Sequence, residues 1–489
     1  MNSITIGKKS QKKSPIPSGE PPEPEGIPIA PTVGTDADNA DLLVSEHGED
    51  IRWCDPLRYW FIWDGKRWKR DNDRDIERRA ERTARGLLVK SSRFPEIIAK
   101  SLARVALSLL SQVKMNLMIE ASKRKVAVSV NELDNDRGFL TVHNGVVDLR
   151  TGALLPFDKT RMSTRMADIV YDPIAKCPKW MEFLKMIMDG NEDDIRFLQR
   201  AIGYSLTGEG DAKMFVFLYG GGDNGKSAFL ETINLLADEY AQKSSIEALL
   251  AGQRSKEQKN TPFTAALRGA RLVFTDEMLE NSTLNASLMK DLTGGDTLTG
   301  MAKYQDPITF LPSHYLWLYG NTKPNIRDNS DAMWERVRLV KFGVTIPKEI
   351  RKPMNEVKEM FRAELPGILN WAVVGSIDAY RDGIGTTENI QNETREYREG
   401  EDVVGRWFIE ACIKDPIFRV DKHQAYKSFH KWAEREGIQD IPQTKALTQR
   451  LNRLGIELGG GGRKDYIGFH LGTSEEPSEP ESVQGEMIQ

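Results

Sequence analysis

Residues 214–236 constrain this chain more than any other stretch. The apolar series Met214-Phe215-Val216-Phe217-Leu218-Tyr219 runs straight into Gly220-Gly221-Gly222-Asp223-Asn224-Gly225-Lys226-Ser227, and residues 228–236 then show helical spacing. A short apolar run closed by glycine predicts a buried strand, so this is a strand, loop and helix in succession. The loop spells G-x-x-x-x-G-K-[ST], the P-loop pattern. Gly220 and Gly225 let the backbone fold so that successive N–H groups point at phosphate oxygens, and Lys226 reaches the β- and γ-phosphates. Ser227 offers a hydroxyl to Mg²⁺, and the following helix presents its partial positive charge to the same anion. An α/β fold that binds a nucleotide, ATP with Mg²⁺, is the expectation.

The chain has 489 residues, enough for two to four domains, with 39% hydrophobic and 29% charged residues, an ordinary soluble composition. Its net charge of −4 hides two acidic ends around a more basic interior, and so neither supports nor excludes nucleic acid. Three cysteines, Cys54, Cys177 and Cys412, lie far apart without a C-x-x-C or paired histidines, which argues against a disulfide framework or a zinc site. No apolar run approaches a membrane span and the first residues lack a signal-type core, so cytoplasmic placement without a membrane partner is expected.

Residues 1–50 are rich in Pro, Ser, Gly and acids and are expected to be a disordered tail, with Lys8, Lys9, Lys12 and Lys13 as a solvated basic cluster. Two aromatic strands follow, Arg58-Tyr59-Trp60-Phe61-Ile62-Trp63 and Arg67-Trp68-Lys69-Arg70, joined by a turn at Asp64-Gly65-Lys66. Their aromatics could stack on bases, but alternating aromatics in a hairpin more often face a core. Residues 73–122 read as helices with a solvated basic face at Arg78, Arg79, Arg82 and Arg85, residues 140–156 as short strands, and residues 172–206 as helices.

Beyond the P-loop, Arg271-Leu272-Val273-Phe274-Thr275-Asp276-Glu277 predicts a second buried strand ending in two acids, 50 residues after Lys226 (276 − 226). Asp276 would hold Mg²⁺ and Glu277 would polarise the attacking water. A third strand, Tyr315-Leu316-Trp317-Leu318-Tyr319, ends in Gly320-Asn321, which would bring the Asn321 amide beside the γ-phosphate; a turn residue before Pro324 is the plainer alternative. Arg336 and Arg338 follow, positions from which a neighbouring subunit's guanidinium could reach that phosphate, though an exposed arginine is more often just a solvated charge.

Together with Leu292-Thr293-Gly294-Gly295-Asp296 and Gly320-Asn321-Thr322-Lys323-Pro324, these motifs resemble helicase superfamily 3, specifically the phage and plasmid primase-helicases related to the poxvirus-type enzyme. Trp63-Asp64-Gly65-Lys66-Arg67-Trp68 and Asn144-Gly145-Val146-Val147-Asp148-Leu149-Arg150-Thr151-Gly152 resemble that family's amino-terminal helicase-associated domain. The resemblance implies an AAA+-like homohexameric motor that encircles single-stranded or forked DNA in a bacterial host cytoplasm. Asn321 matches the sensor and Arg336 the arginine finger, while residues 293–310 would form a channel hairpin with Lys303 on the DNA backbone. Met301, Glu335 and Lys341 depart from the family pattern. A priming domain has no room ahead of the motor, and Asp134 and Asp136 only imitate a polymerase acid pair, so primer synthesis is not expected.

The expected division is a tail at 1–50, an α+β helicase-associated domain at 51–205, the ATPase core at 206–347 and a helical lid or linker at 348–400. A winged helix at 401–471 and an acidic disordered tail at 472–489 complete it. The winged helix rests on helices at 403–413, 423–436 and 442–454 followed by a hairpin, and residues 403–471 hold 12 basic and 8 acidic residues. Lys445, Arg450 and Arg453 would face DNA, with Arg463 and Lys464 on the wing. A replicative DNA helicase is the leading expectation; an origin-binding initiator or loader that unwinds little is the alternative.

Overall fold

The computed structural model describes residues 31–252, 262–303, 306–438, 441–459 and 465–472. The chain forms two compact units, one of Met1–Ile51 with Asn72–Val126 and one of Arg52–Asp71 with Ala127–Gln489.

The first unit is helical: α1 (Asp36–His47), α2 (Asp75–Ser91), α3 (Glu96–Leu109) and α4 (Gln112–Lys123). The first of these lies inside the stretch expected to be a tail. Thr35 caps it reciprocally with Asp38, Ala40 and Leu43 are buried, and Glu46 receives bonds from Thr83 and Lys90. A local cap and an apolar face therefore outweigh the polar composition around them. Residues 1–30 and 473–489, also expected to be tails, lie outside the described residues. On α2, Arg78, Arg82 and Arg85 are solvated as expected, with Arg85 on Glu81, but Arg79 is mostly covered and pairs with Asp75. No single helix among the described residues is long and apolar enough to cross a membrane; α3 and α4 qualify only together and are bent by 91° at their break.

Two small sheets come early in the second unit, with β1 starting at the last residue of the first unit's leading segment. One contains β1 (Ile51–Cys54), β2 (Tyr59–Trp63) and β3 (Trp68–Arg70), the other β4 (Phe139–Val142), β5 (Gly145–Asp148) and β6 (Leu154–Leu155). The aromatic hairpin faces inward: Trp68 is fully buried, and Arg52 and Arg70 stack on Trp68 and Tyr59 of the same sheet. Next come α5 (Pro178–Ile187), α6 (Glu192–Ser205), β7 (Phe215–Tyr219), α7 (Lys226–Ala237), β8 (Ala241–Ser244), α8 (Pro262–Ala266), β9 (Leu272–Thr275) and α9 (Ala286–Leu292). They are followed by β10 (Leu298–Gly300), β11 (Ile308–Phe310), β12 (Tyr315–Gly320), α10 (Asp331–Trp334) and β13 (Val337–Lys341).

Five of these strands form one parallel sheet in the order β13-β7-β12-β9-β8. Phe215 and Phe217 enter the core on one face of it, and Val216 and Leu218 the core on the other, which is why the sequence runs apolar without alternation. The two cores also erase the expected boundary at 205. Leu140, Val142 and Val147 share one core with Trp180, Phe229 and Trp317, while Phe61 and Trp68 share the other with Phe215 and Phe217.

Residues 348–400, expected as a lid or linker, form α11 (Met354–Arg362), α12 (Leu365–Asp382) and α13 (Glu388–Glu401). Phe361, Ile368 and Leu369 lie in the main core, so α11 and α12 are part of its packing. The chain then builds α14 (Val403–Ala411), β14 (Cys412–Asp421), α15 (Lys422–Arg435), α16 (Thr444–Arg453), β15 (Glu457–Leu458) and β16 (Asp465–Leu471) around a core of its own that includes Trp407, Phe429 and Tyr466. The strand β14, which pairs with β16, was not expected.

Candidate functional site

The carboxyl ends of β7, β12 and β13 are level, with Tyr219 opposite both Gly320 and Lys341. Open parallel sheets present their ligand crevice at this edge. Here the loop between β7 and α7 turns beneath the chain leaving β13. A Cβ on Gly220 would stand 2.2 Å from the Phe342 carbonyl oxygen, and one on Gly225, at φ +88°, would stand 2.7 Å from Ile187. Both positions require glycine for close approach.

Lys226, the first residue of α7, is only 4% exposed. Its ammonium donates to the carbonyls of Gly220 at 2.7 Å and Gly221 at 3.1 Å, to Asn224 Oδ1 at 3.0 Å and to Asn321 Oδ1 at 3.2 Å. Burial lowers its pKa, and the nearby Glu277 charge opposes that shift. Asn224 donates in turn to the Phe342 carbonyl at 3.0 Å, fixing the loop from below. Nothing but its place inside the loop motif could have singled out this buried amide.

Lys226, Ser227, Glu277 and Asn321 line one cleft of about 680 Å³. The Met278 N–H donates to the Tyr319 carbonyl at 2.9 Å, which holds the acidic end of β9 against the end of β12. Burial, then Glu277 and Asp276, raise the Tyr319 hydroxyl pKa. Asp276 is exposed at the same edge, but Glu277 rather than Asp276 lines the cleft. An apolar wall of Phe183, Met186, Ile350, Val357 and Met360 also lines the cleft, and Phe183 packs on the Trp180 ring, which stacks against Phe229 at 5.6 Å. A cleft that combines a buried cation, a hydroxyl, a carboxylate and an amide with an apolar wall suits a ligand with an anionic part and a flat apolar part. These residues fit a nucleoside triphosphate and its Mg²⁺.

Other expected site residues lie elsewhere. Arg336 Nε donates to Thr293 Oγ1 at 3.1 Å and its Nη1 to the Ala332 carbonyl, while Arg338 bonds the Glu335 carbonyl at 2.7 Å. Neither lines the cleft of Lys226. The expected hairpin exists as the antiparallel pair β10 and β11, with Lys303 exposed at its turn. On α16, Lys445 and Arg453 are exposed, but Arg450 Nε donates to Asp402 Oδ2 at 2.8 Å. That ion pair redirects Arg450 from a DNA contact to a link within the carboxy-terminal unit. Arg463 and Lys464 lie outside the described residues. Asp134 accepts bonds from Thr164 N and Oγ1, both at 2.7 Å, and Asp136 pairs with Arg161 at 2.8 Å, so both acids serve the fold.

Residues 40–189 match the family described as "D5 N terminal like", and residues 218–336 match a "Family of unknown function". A protein of Acanthamoeba polyphaga mimivirus named "Putative helicase L207/L206" is 29% identical over 348 residues, 65% of this chain and 35% of its own length. An African swine fever virus protein named "Putative primase C962R" is 22% identical over 315 residues, 59% of this chain and 32% of its own length. The chain thus spans about a third of the length of these curated relatives. A solved structure of the NrS-1 C-terminal region covers 88% of this chain and 98% of its own, at 8% identity and a TM-score of 0.48.

Proposed function

Since the chain belongs to the D5-like primase-helicase family of helicase superfamily 3, we propose that it is an ATP-dependent replicative DNA helicase of a phage or integrated mobile element, working as a homohexameric ring on single-stranded and forked DNA. One observation carries this reading: Lys226, Ser227, Glu277 and Asn321, spread over 95 positions, line one cleft at the carboxyl edge of a parallel sheet. The P-loop strand β7 lies inside that sheet, between β13 and β12, as an AAA+-like core requires.

Lys226 would exchange its carbonyl partners for β- and γ-phosphate oxygens, a stronger, charge-assisted set of bonds. The Ser227 hydroxyl would hold Mg²⁺ directly and the Asp276 carboxylate, outside the cleft lining, through water; the ion supplies charge neutralisation along the phosphates. Glu277 would accept the proton of the attacking water, and Asn321, already bonded to Lys226, would orient the γ-phosphate end. Arg336 would act on a neighbouring subunit's nucleotide, since it lies outside its own subunit's cleft. The hairpin of β10 and β11 would offer Lys303 to the DNA backbone.

The test is hydrolysis of ATP with and without single-stranded DNA, beside separation of a tailed duplex. Stimulated hydrolysis and strand separation are expected, both lost in Lys226→Ala; Glu277→Gln should still bind ATP but not hydrolyse it. Unchanged turnover in Lys226→Ala would sink the assignment.

A second reading, an origin-binding initiator or loader, draws on the carboxy-terminal unit. Its order, helix, strand, two helices and two strands, suits a winged helix, with Lys445 and Arg453 exposed on the second of the paired helices. Nucleotide-driven assembly on duplex origin DNA without strand separation would favour it.

A further inference from the structure

Arg351 also lines the cleft of Lys226, and no motif announces it. It stands between the end of β13 and α11, whose Val357 and Met360 form the apolar wall. Its Nε donates to the Ile346 carbonyl at 2.7 Å, and its Nη1 pairs with Asp223 Oδ2 in the glycine loop. The Ile346 N–H donates to the Asp223 carbonyl at 2.9 Å, so Asp223 and residues 346–351 are joined twice. Asp223 adopts φ +60°, a left-handed conformation that Asp tolerates better than most residues with a side chain.

A guanidinium has five N–H donors in a planar fork suited to carboxylate and phosphate oxygens alike. Its bonds to Ile346 and Asp223 use two of the five. Asp223 is itself an anion in the loop that would wrap phosphates, and the Arg351 cation beside it offsets that charge. We propose that Arg351 is a second phosphate-binding cation of this cleft, acting within its own subunit, paired with Asp223 and turning its remaining N–H donors to the nucleotide's phosphates. The proposal rests on the nucleotide reading of the cleft. It gives the chain two phosphate cations of different kinds: Lys226 as a buried point charge on α7, and Arg351 as a half-buried fork on the segment leading to the apolar wall.

The test is a double-substitution cycle on the full chain, read by the dissociation constants of ATP and adenosine. Arg351→Ala should weaken ATP about tenfold and adenosine little, as expected when a charge-assisted bond to phosphate is lost. The loss should persist when Asp223 is already Asn, because the phosphate contact does not depend on that carboxylate; Arg351→Lys should recover part of it. If the loss disappears in the Asp223→Asn background, or is equal for adenosine and ATP, Arg351 only props the loop and the proposal is overturned. No effect of Arg351→Ala overturns it as well. Failure of the underlying reading looks different: the unsubstituted chain would not bind ATP, or Lys226→Ala would bind it undiminished.

Discussion

Lys226 Nζ donates to Asn321 Oδ1 at 3.2 Å, so the first residue of α7 meets the first residue beyond β12 across 95 positions of sequence. The amide oxygen accepts this bond without neutralising the ammonium. Asn321→Asp would put a carboxylate in its place, pairing with Lys226 and repelling phosphate. Hydrolysis should fall on the order of 10²-fold and further than in Asn321→Ala, the scale of losing one preorganised electrostatic group. Steady-state kinetics read this; equal rates in Asp and Ala variants would show that charge at this position does not matter.

The site was legible where local sequence dictates geometry. Six apolar residues running into a glycine loop could only be a buried strand and a tight turn, and the acids after β9 and the amide after β12 follow from the same logic. What escaped was set by partners far away or by short signals in misleading surroundings. Asp223 and Arg351 are 128 positions apart, and Arg450 and Asp402 are 48 apart, so neither pair has a spacing to read. The capping box of Thr35 and Asp38, with Leu42-Leu43-Val44 behind it, was hidden by the Pro, Ser and acid content of its neighbours. The strand β14 was hidden by Pro416 and by a register irregularity between Asp415 and Arg419.

Arg450 should matter to stability rather than to DNA binding. Asp402 accepts bonds from Arg450, from the Gly405 N–H of α14 at 3.0 Å and from Asn329 Nδ2 at 3.0 Å, so removing the guanidinium leaves a mostly buried carboxylate short of a partner. Arg450→Ala is expected to cost about 2 kcal/mol, the range for hydrogen bonds to charged groups. Thermal unfolding and DNA affinity, measured together, should separate it from Lys445→Ala and Arg453→Ala, which are expected to weaken DNA binding without lowering the melting temperature.

His314 makes stability depend on pH. It is 4% exposed, and burial lowers its pKa from the ordinary 6.5 to about 4. The unfolded chain therefore takes up this proton first as pH falls. Stability should be unaffected by His314 above about pH 6.5 and should fall from there towards pH 4, by an amount on the order of 2 kcal/mol at pH 4.5. Denaturant unfolding of His314→Leu should show a shallower loss over that window, and parallel pH profiles would remove His314 as the cause.

The proposed ring makes its sharpest claim at Arg336. Neither Arg336 nor Arg338 lines the cleft of Lys226, so in the proposed ring a direct role for either in hydrolysis would be played on another subunit's nucleotide. Arg336 is held by Thr293, just past the end of α9, and Arg338 by carbonyls of its own turn, while burial lowers the Arg338 pKa. Arg336→Ala should leave ATP binding intact and lower hydrolysis by roughly 10³-fold or more, the lower end of what such fingers contribute in GTPases. Mixing Arg336→Ala with Lys226→Ala subunits should then restore part of the hydrolysis, because some interfaces would pair an intact loop with an intact arginine. If mixed rings form without any recovery, and Arg338→Ala subunits give the rescue instead, the finger is Arg338. If neither substitution lowers the rate more than Ala at the surface residue Arg435, no guanidinium acts across the interface and the ring proposal loses its chemical basis.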